Sequence, residues 1–160
     1  KKSRLFDLKL LTGVCYLTLF VAAETALIFA QSALNGFARP LNPRQLLYFL
    51  LQVYTVSVGI LLLQTVLSFF YENQILPLAA GIFGSFTGLF SWFFPDGILK
   101  KCLLWGYYSE LCFIINDWDP ETRISTYYDA PFDWPSLCLL LALLAAGYGI
   151  GKRLFMRKEI

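Results

Sequence analysis

The chain has 160 residues, of which 58% are hydrophobic and only 15% are charged, and its net charge is +2. Soluble domains usually carry about 25% charged residues, so this composition excludes an ordinary soluble globular protein. There is no histidine, which excludes a catalytic triad that uses histidine and an HExxH metal site. The chain also contains no Walker A motif, and its residues predict no metal site, no bound cofactor and no nucleic-acid partner.

Four apolar runs predict membrane-spanning helices at about residues 8–34, 46–71, 75–94 and 135–155. Each run is close to or above the ~20 residues that cross the hydrocarbon core of a bilayer. The runs are almost free of charge, as expected where a charged side chain costs roughly 2.5–3.5 kcal/mol. Between the first two, residues 35–45 contain Pro40 and Pro43, which we interpret as helix breakers in a loop. Glu72, Asn73 and Gln74 form the next turn.

Residues 99–115 are apolar in parts that are too short to span a bilayer, and they follow Lys100 and Lys101. They predict a short re-entrant or interfacial helix. Residues 116–134 are rich in aspartate and predict an acidic loop. The expected fold is therefore a single all-α integral membrane domain, a bundle of four transmembrane helices with one short additional helix.

Basic residues gather at the two ends of the chain: Lys1, Lys2, Arg4, Lys9, Lys152, Arg153, Arg157 and Lys158. By the positive-inside rule, both ends of this segment are expected in the cytoplasm and the acidic loop outside a bacterial cell membrane. An even number of spans agrees with this arrangement. Cys102 and Cys112 would then face an oxidising side, and their spacing leaves open whether they form a disulfide.

Polar residues within the spans are the candidates for a substrate pathway. Glu24 lies near the middle of the first span, where a carboxylate must be protonated, paired, or in contact with water or protein. It is either a pathway residue or a neutral acid bonded to a neighbouring helix. The second span adds the polar side chains of Gln52, Thr55, Ser57, Gln64 and Ser68, which either line a cavity or join helices.

Glycines in the third span predict close packing. Gly84 and Gly88 form a GxxxG motif, and Gly81 precedes it. Small residues four apart allow another helix to approach closely, so we expect helix packing or a subunit interface here.

Two segments resemble ABC-2 type transporter permeases, in particular the lantibiotic-immunity and bacitracin-resistance branch. One is LSFFYENQILPLAAGIFG at residues 67–84, a span followed by a short turn and a glycine-containing helix. The other is the tail GKRLFMRKEI at residues 151–160, with Phe155, Arg157, Lys158 and Glu159 at the matching positions. These permeases have six spans, so the resemblance implies that the chain carries the last four. Since it begins with Lys-Lys-Ser-Arg rather than Met, we expect the sequence to start inside a longer protein.

The resemblance also implies partners. A second permease subunit, identical or homologous, would pair along the helix of Gly81, Gly84 and Gly88. Two cytoplasmic subunits would bind and hydrolyse ATP with Mg²⁺, and would face Lys1, Lys2, Arg4 and Asp7. The implied function is export of an antimicrobial peptide or amphiphile from the membrane.

Two alternatives stay open. The chain could be a stand-alone membrane immunity or sensor protein that binds the peptide without transport, or a membrane enzyme with Glu24 as its acid. No second catalytic group lies near Glu24 in the sequence, so we expect that this chain is not itself an enzyme.

Overall fold

A computed structural model describes residues 2–36, 42–93 and 98–157 of the chain. Within these residues, helices α1 (Lys2–Leu34), α2 (Pro43–Phe70), α3 (Ile75–Phe90) and α6 (Trp134–Arg157) form the bundle. A 3-10 turn, Ser91–Phe93, continues α3. All four helices are long and apolar enough to cross a membrane. The predicted all-α membrane bundle is therefore confirmed.

The helices extend beyond the predicted spans at four ends. Helix α1 already starts at Lys2, and α6 runs from Trp134 to Arg157. Helix α2 starts at Pro43, which the sequence analysis placed in the loop as a helix breaker. That interpretation was wrong because proline fits the first turn of a helix, where no backbone donor is needed. The side chain of Asn42 caps this turn by accepting a hydrogen bond of 3.1 Å from the Arg44 amide. The predicted end of the third span, Phe94, lies outside the described residues.

Helix α2 lies at the centre and packs against α1, α3 and α6. At one end of the bundle, the rings of Phe6, Phe69 and Phe155 meet, with centroids 4.3–5.8 Å apart. This brings the start of α1 and the ends of α2 and α6 together, and we call it the basic end. At the other end, Tyr48 stacks on Phe132 at 4.6 Å. Aromatic pairs of this kind stabilise a contact by about 0.5–1.5 kcal/mol beyond their area.

Residues 98–110, here called the inserted segment, enter the bundle between α2, α3 and α6. They form α4 (Ile98–Cys102), a 3-10 turn (Leu104–Gly106) and α5 (Tyr107–Glu110). The prediction of one helix over 99–115 was wrong, because the backbone is extended at Leu103 and the helix is interrupted there. A Cβ atom on Gly106 would lie 2.6 Å from the Lys100 carbonyl oxygen, so the chain after this interruption can pack so closely only with glycine. The two arms are joined by an ion pair of 3.2 Å between Lys101 Nζ and Glu110 Oε1.

The predicted acidic loop at 116–134 is also wrong, since much of it is a β-hairpin. Strands β1 (Ile114–Asp119) and β2 (Ile124–Asp129) pair antiparallel, with Ile114 opposite Asp129 and Asp119 opposite Ile124. The strands are rich in β-branched and aromatic residues, which favour extended backbone. Asp119 closes the turn by accepting hydrogen bonds from the Thr122 hydroxyl at 2.6 Å and the Glu121 amide at 2.9 Å. We call this end of the bundle the hairpin end.

All four cysteines are free thiols. Cys102 lies in the inserted segment and Cys112 lies just before β1, and no disulfide joins them. The pairing that the sequence left open is therefore absent from this structure.

Candidate functional site

Tyr108 of the inserted segment connects the polar residues of α2. Its hydroxyl lies 2.8 Å from Ser57 Oγ, and its backbone oxygen accepts a hydrogen bond from Gln52 Nε2. Gln52 is buried, and its amide would lose water without a partner there. The contacts of Gln52 and Ser57 therefore fix the inserted segment against the centre of the bundle.

An open groove runs along the contact between α2 and α3, and we call it the front groove. It has a volume of about 620 Å³. Its polar groups include Gln64, Ser85 and Tyr108, and two indole rings, Trp92 and Trp105, add aromatic surface. The groove is open on one side. The groove thus combines aromatic surface with a few hydrogen-bonding groups, as small-molecule sites do.

Two of the predicted packing glycines of α3, Gly81 and Gly88, line this groove, and Gly84 is buried beneath Trp105. A Cβ atom on Gly84 would lie 2.2 Å from Cε2 of Trp105, and one on Gly88 would lie 2.9 Å from Trp105 Cβ. Gly81 faces the Gln64 amide in the same way, at 2.8 Å. The glycines therefore receive two side chains of the same chain, Trp105 and Gln64. A subunit interface along this helix stays a prediction.

Glu24 is exposed on the surface of α1 and makes no hydrogen bond or ion pair with the described part of the chain. A charged carboxylate is unstable in contact with hydrocarbon, so in a membrane this side chain is either protonated or in contact with water or another polar partner.

Two of the predicted pathway residues lie elsewhere. Thr55 is buried and lines a second groove, which lies between α1 and α2. This groove is nearly apolar and has a volume of about 630 Å³. Ser68 lies at the basic end, where its hydroxyl bonds to the Thr65 carbonyl at 2.9 Å and lies 3.4 Å from Lys9 Nζ. The structure thus joins Gln52 and Ser57 to Tyr108 by hydrogen bonds, places Gln64 in the groove that Tyr108 also lines, and leaves Thr55 and Ser68 apart.

The residues predicted to face an ATPase lie at the basic end. Arg4 is exposed there. Asp7 accepts hydrogen bonds from Tyr148 at 2.7 Å and from Lys152 Nζ at 2.7 and 2.8 Å, so its carboxylate joins α1 to α6. Lys1 lies outside the described residues, as does the side chain of Lys2. Of the described candidates, Arg4 is therefore the better placed for a cytoplasmic partner.

Sequence reasoning missed the contribution of the inserted segment to the groove. Trp105 and Tyr108 lie more than 30 residues beyond the α2 residues that they contact, and no spacing rule links them. Two tryptophans and two tyrosines within residues 92–108 were the available signal, since such residues gather at membrane interfaces and binding surfaces.

A comparison with protein-family models, with curated proteins and with solved structures finds no match for this chain. The groove, the inserted segment and the hairpin are therefore interpreted from their own chemistry.

Proposed function

We propose that this chain is the membrane-spanning permease subunit of an ATP-driven exporter, and that it moves an antimicrobial peptide or amphiphile out of the membrane. The observation that carries the proposal is the front groove. It runs along two of the apolar helices and is open on one side, and polar groups from α2, α3 and the inserted segment line it. A substrate dissolved in the bilayer reaches such a groove without first entering water.

The arrangement of the ends supports an ATP-driven complex. The first residues of α1 and the last residues of α6 lie together, and the basic residues of both helices collect there. With this end in the cytoplasm of a bacterial cell, as the positive-inside rule predicts, Arg4 faces the compartment that holds ATP. The chain has no nucleotide motif of its own, so ATP and Mg²⁺ are bound by partner subunits.

ATP hydrolysis would be coupled to export by a change in the equilibrium between two conformations of the permease. ATP-bound and ATP-free partners contact the basic end differently, and only such a difference in contacts shifts the equilibrium of the permease. The ion pair of Asp7 with Lys152 joins α1 to α6 at this end, so a displacement of α1 would also move α6.

A second candidate function, a stand-alone immunity or sensor protein, is favoured by the hairpin. Its exposed surface includes Trp118, Tyr127 and Tyr128, with 52–70% of each side chain accessible. An exposed two-stranded sheet with aromatic residues can bind a peptide directly, through its open edges. This function needs no ATPase.

Vesicles that contain the full complex test the proposal. We expect ATP hydrolysis to rise when an antimicrobial peptide is added and the peptide to leave the membrane. Arg4→Glu should weaken the ATPase contact, whereas Arg123→Glu at the hairpin turn is a control at the opposite end. Peptide binding without any ATPase response would support the sensor function instead.

A further inference from the structure

We propose that one face of the β-hairpin lies against the lipid headgroups at the hairpin end of the bundle, with the rings of Trp118 and Tyr127 in the membrane interface. The opposite face, which carries Asp117 and Asp119, is then turned to water. This inference goes beyond the proposed function and does not depend on it, because lipid surrounds the four helices whether or not the chain exports a substrate.

The strand register defines the two faces of the hairpin. Directly paired residues of an antiparallel pair point to the same side, and the side alternates along each strand. One face, here called the tryptophan face, therefore carries Ile114, Asn116, Trp118, Ser125, Tyr127 and Asp129. The other face, here called the acidic face, carries Ile115, Asp117, Asp119, Ile124, Thr126 and Tyr128.

The two faces differ in their charge. Asp117 and Asp119 are both exposed on the acidic face. Within the two strands, the tryptophan face has a single carboxylate, Asp129, and each of its oxygens accepts a hydrogen bond of 3.0 Å from Gln45 Nε2. Moving a carboxylate out of water toward lipid costs free energy. The tryptophan face is therefore the face that a bilayer can cover.

The base of the hairpin turns the tryptophan face toward the lipid-facing side of α1 and α2. Ile114 lines an open groove with Ile28 and Phe29 of α1, whose side chains are themselves 41% and 42% exposed. Asp129, the strand partner of Ile114, is bonded to Gln45 of α2. Gln45 directly precedes the charge-free run at 46–71, so the hairpin begins where the hydrocarbon-spanning part of α2 ends.

The rings of the tryptophan face reach the interface from this base. Tyr127 lies two residues beyond Asp129 and Trp118 lies four beyond Ile114, which places them about 7 and 14 Å along the strands. The headgroup region on each side of the hydrocarbon core is about 5–8 Å deep. A hairpin that is inclined over the bilayer therefore keeps both rings in this region, where tryptophan and tyrosine are enriched.

Contact with lipid also supplies packing that the hairpin lacks. Trp118 is 54% exposed and Tyr127 is 70% exposed. A two-stranded hairpin by itself is at best marginally stable in water, and it needs another surface to bury its apolar side chains. The bilayer is such a surface and is already present at the base of the hairpin.

Spin labelling of neighbouring positions tests the inference. Single cysteines are introduced by Asn116→Cys on the tryptophan face and by Asp117→Cys on the acidic face, after the four native cysteines have been replaced by alanine. In neutral-lipid vesicles, we expect the first label to be severalfold more accessible to oxygen, relative to a water-soluble nickel chelate, than the second. Equal nickel accessibility of the two labels would show that the hairpin stands free in water and would overturn the inference. Dipolar broadening between Asn116→Cys labels would show that a second copy covers this face and would also overturn it.

A fluorescence measurement that keeps the native cysteines guards against a folding artefact. The difference between the native chain and Trp118→Phe isolates the emission of Trp118. We expect phospholipids that are brominated near the glycerol end of their chains to quench this emission, and aqueous iodide to quench it only weakly. Adding Tyr128→Trp to Trp118→Phe moves the indole to the acidic face and should reverse this pattern. Quenching of Trp118 by iodide but not by brominated lipid would overturn the inference and leave the export proposal untouched.

Discussion

The packing of Trp105 against Gly84 and Gly88 of α3 leads to a quantitative prediction about stability. Gly84→Ala places a methyl group 2.2 Å from the Trp105 ring, well inside van der Waals contact. The ring must move, and with it the inserted segment. Overpacking of this kind typically costs about 1–3 kcal/mol, while alanine in place of a helical glycine returns at most about 1 kcal/mol. We expect a net loss of about 1–2 kcal/mol in the free energy of unfolding.

The assay is an SDS titration in mixed micelles, followed by circular dichroism. Gly149→Ala is the control, because a Cβ atom there has no neighbour within 4 Å. It should leave the stability unchanged or raise it slightly. A double variant, Gly84→Ala with Trp105→Ala, should lose less than the sum of the two single variants, since the clash is gone. If Gly84→Ala unfolds at the same SDS fraction as the native chain, Trp105 does not occupy this glycine and the account of the groove wall is wrong.

Three further predictions follow from the described contacts. Ser57→Ala and Tyr108→Phe should each lower the free energy of unfolding by about 1 kcal/mol, because each removes the same 2.8 Å hydrogen bond. The double variant should therefore lose little more than either single variant, and fully additive losses would contradict this prediction. The double variant Asp7→Lys with Lys152→Asp exchanges the partners of the ion pair and should restore part of the stability that either single change removes. If an SDS titration finds no recovery, the contact between α1 and α6 is not formed as described. The hydrogen bonds from Thr122 and from the Glu121 amide lower the pKa of Asp119 below its usual 3.8, so the hairpin turn is stabilised above that pH and loses this support as the pH falls through the lowered pKa. NMR titration of the Trp118 indole should show this transition, Asp119→Asn should abolish it, and a midpoint above 3.8 would refute the turn geometry.

Much of the fold was predictable because the cost of charge in hydrocarbon is large and local. The four spans could be placed from runs that are almost free of charge, and errors were limited to their ends. Pro43 shows why: the same residue breaks a helix in its interior and starts one at its first turn, and only the cap formed by Asn42 decides between the two.

The hairpin and the inserted segment were harder, because competing patterns were present. Asp117, Asp119 and Asp129 suggested a solvated loop, while Ile124, Thr126 and Tyr128 alternate along one face of a strand, a signal that the acidic residues concealed. In the inserted segment, the helix-forming composition of residues 99–115 concealed the extended backbone at Leu103 that interrupts the helix.

The candidate site was predicted only in part, since it depends on contacts between distant segments. Gln52, Ser57 and Gln64 could be selected because polar groups are rare in spans. Tyr108, which bonds to Gln52 and Ser57, could not be selected, because nothing in the sequence states that the inserted segment folds back onto α2. The separation of Thr55 from Ser57 has a simpler cause. The two residues are two positions apart on a helix and so point in different directions.

The most direct test of the account is to isolate the full-length protein from its native membrane in mild detergent and to identify what accompanies it. We expect a cytoplasmic ATP-hydrolysing subunit in stoichiometric amount, and we expect Arg4→Glu to weaken its association with this chain. Recovery of this chain alone, under conditions that keep other transporter complexes intact, would contradict the exporter and leave a stand-alone binding protein as its function.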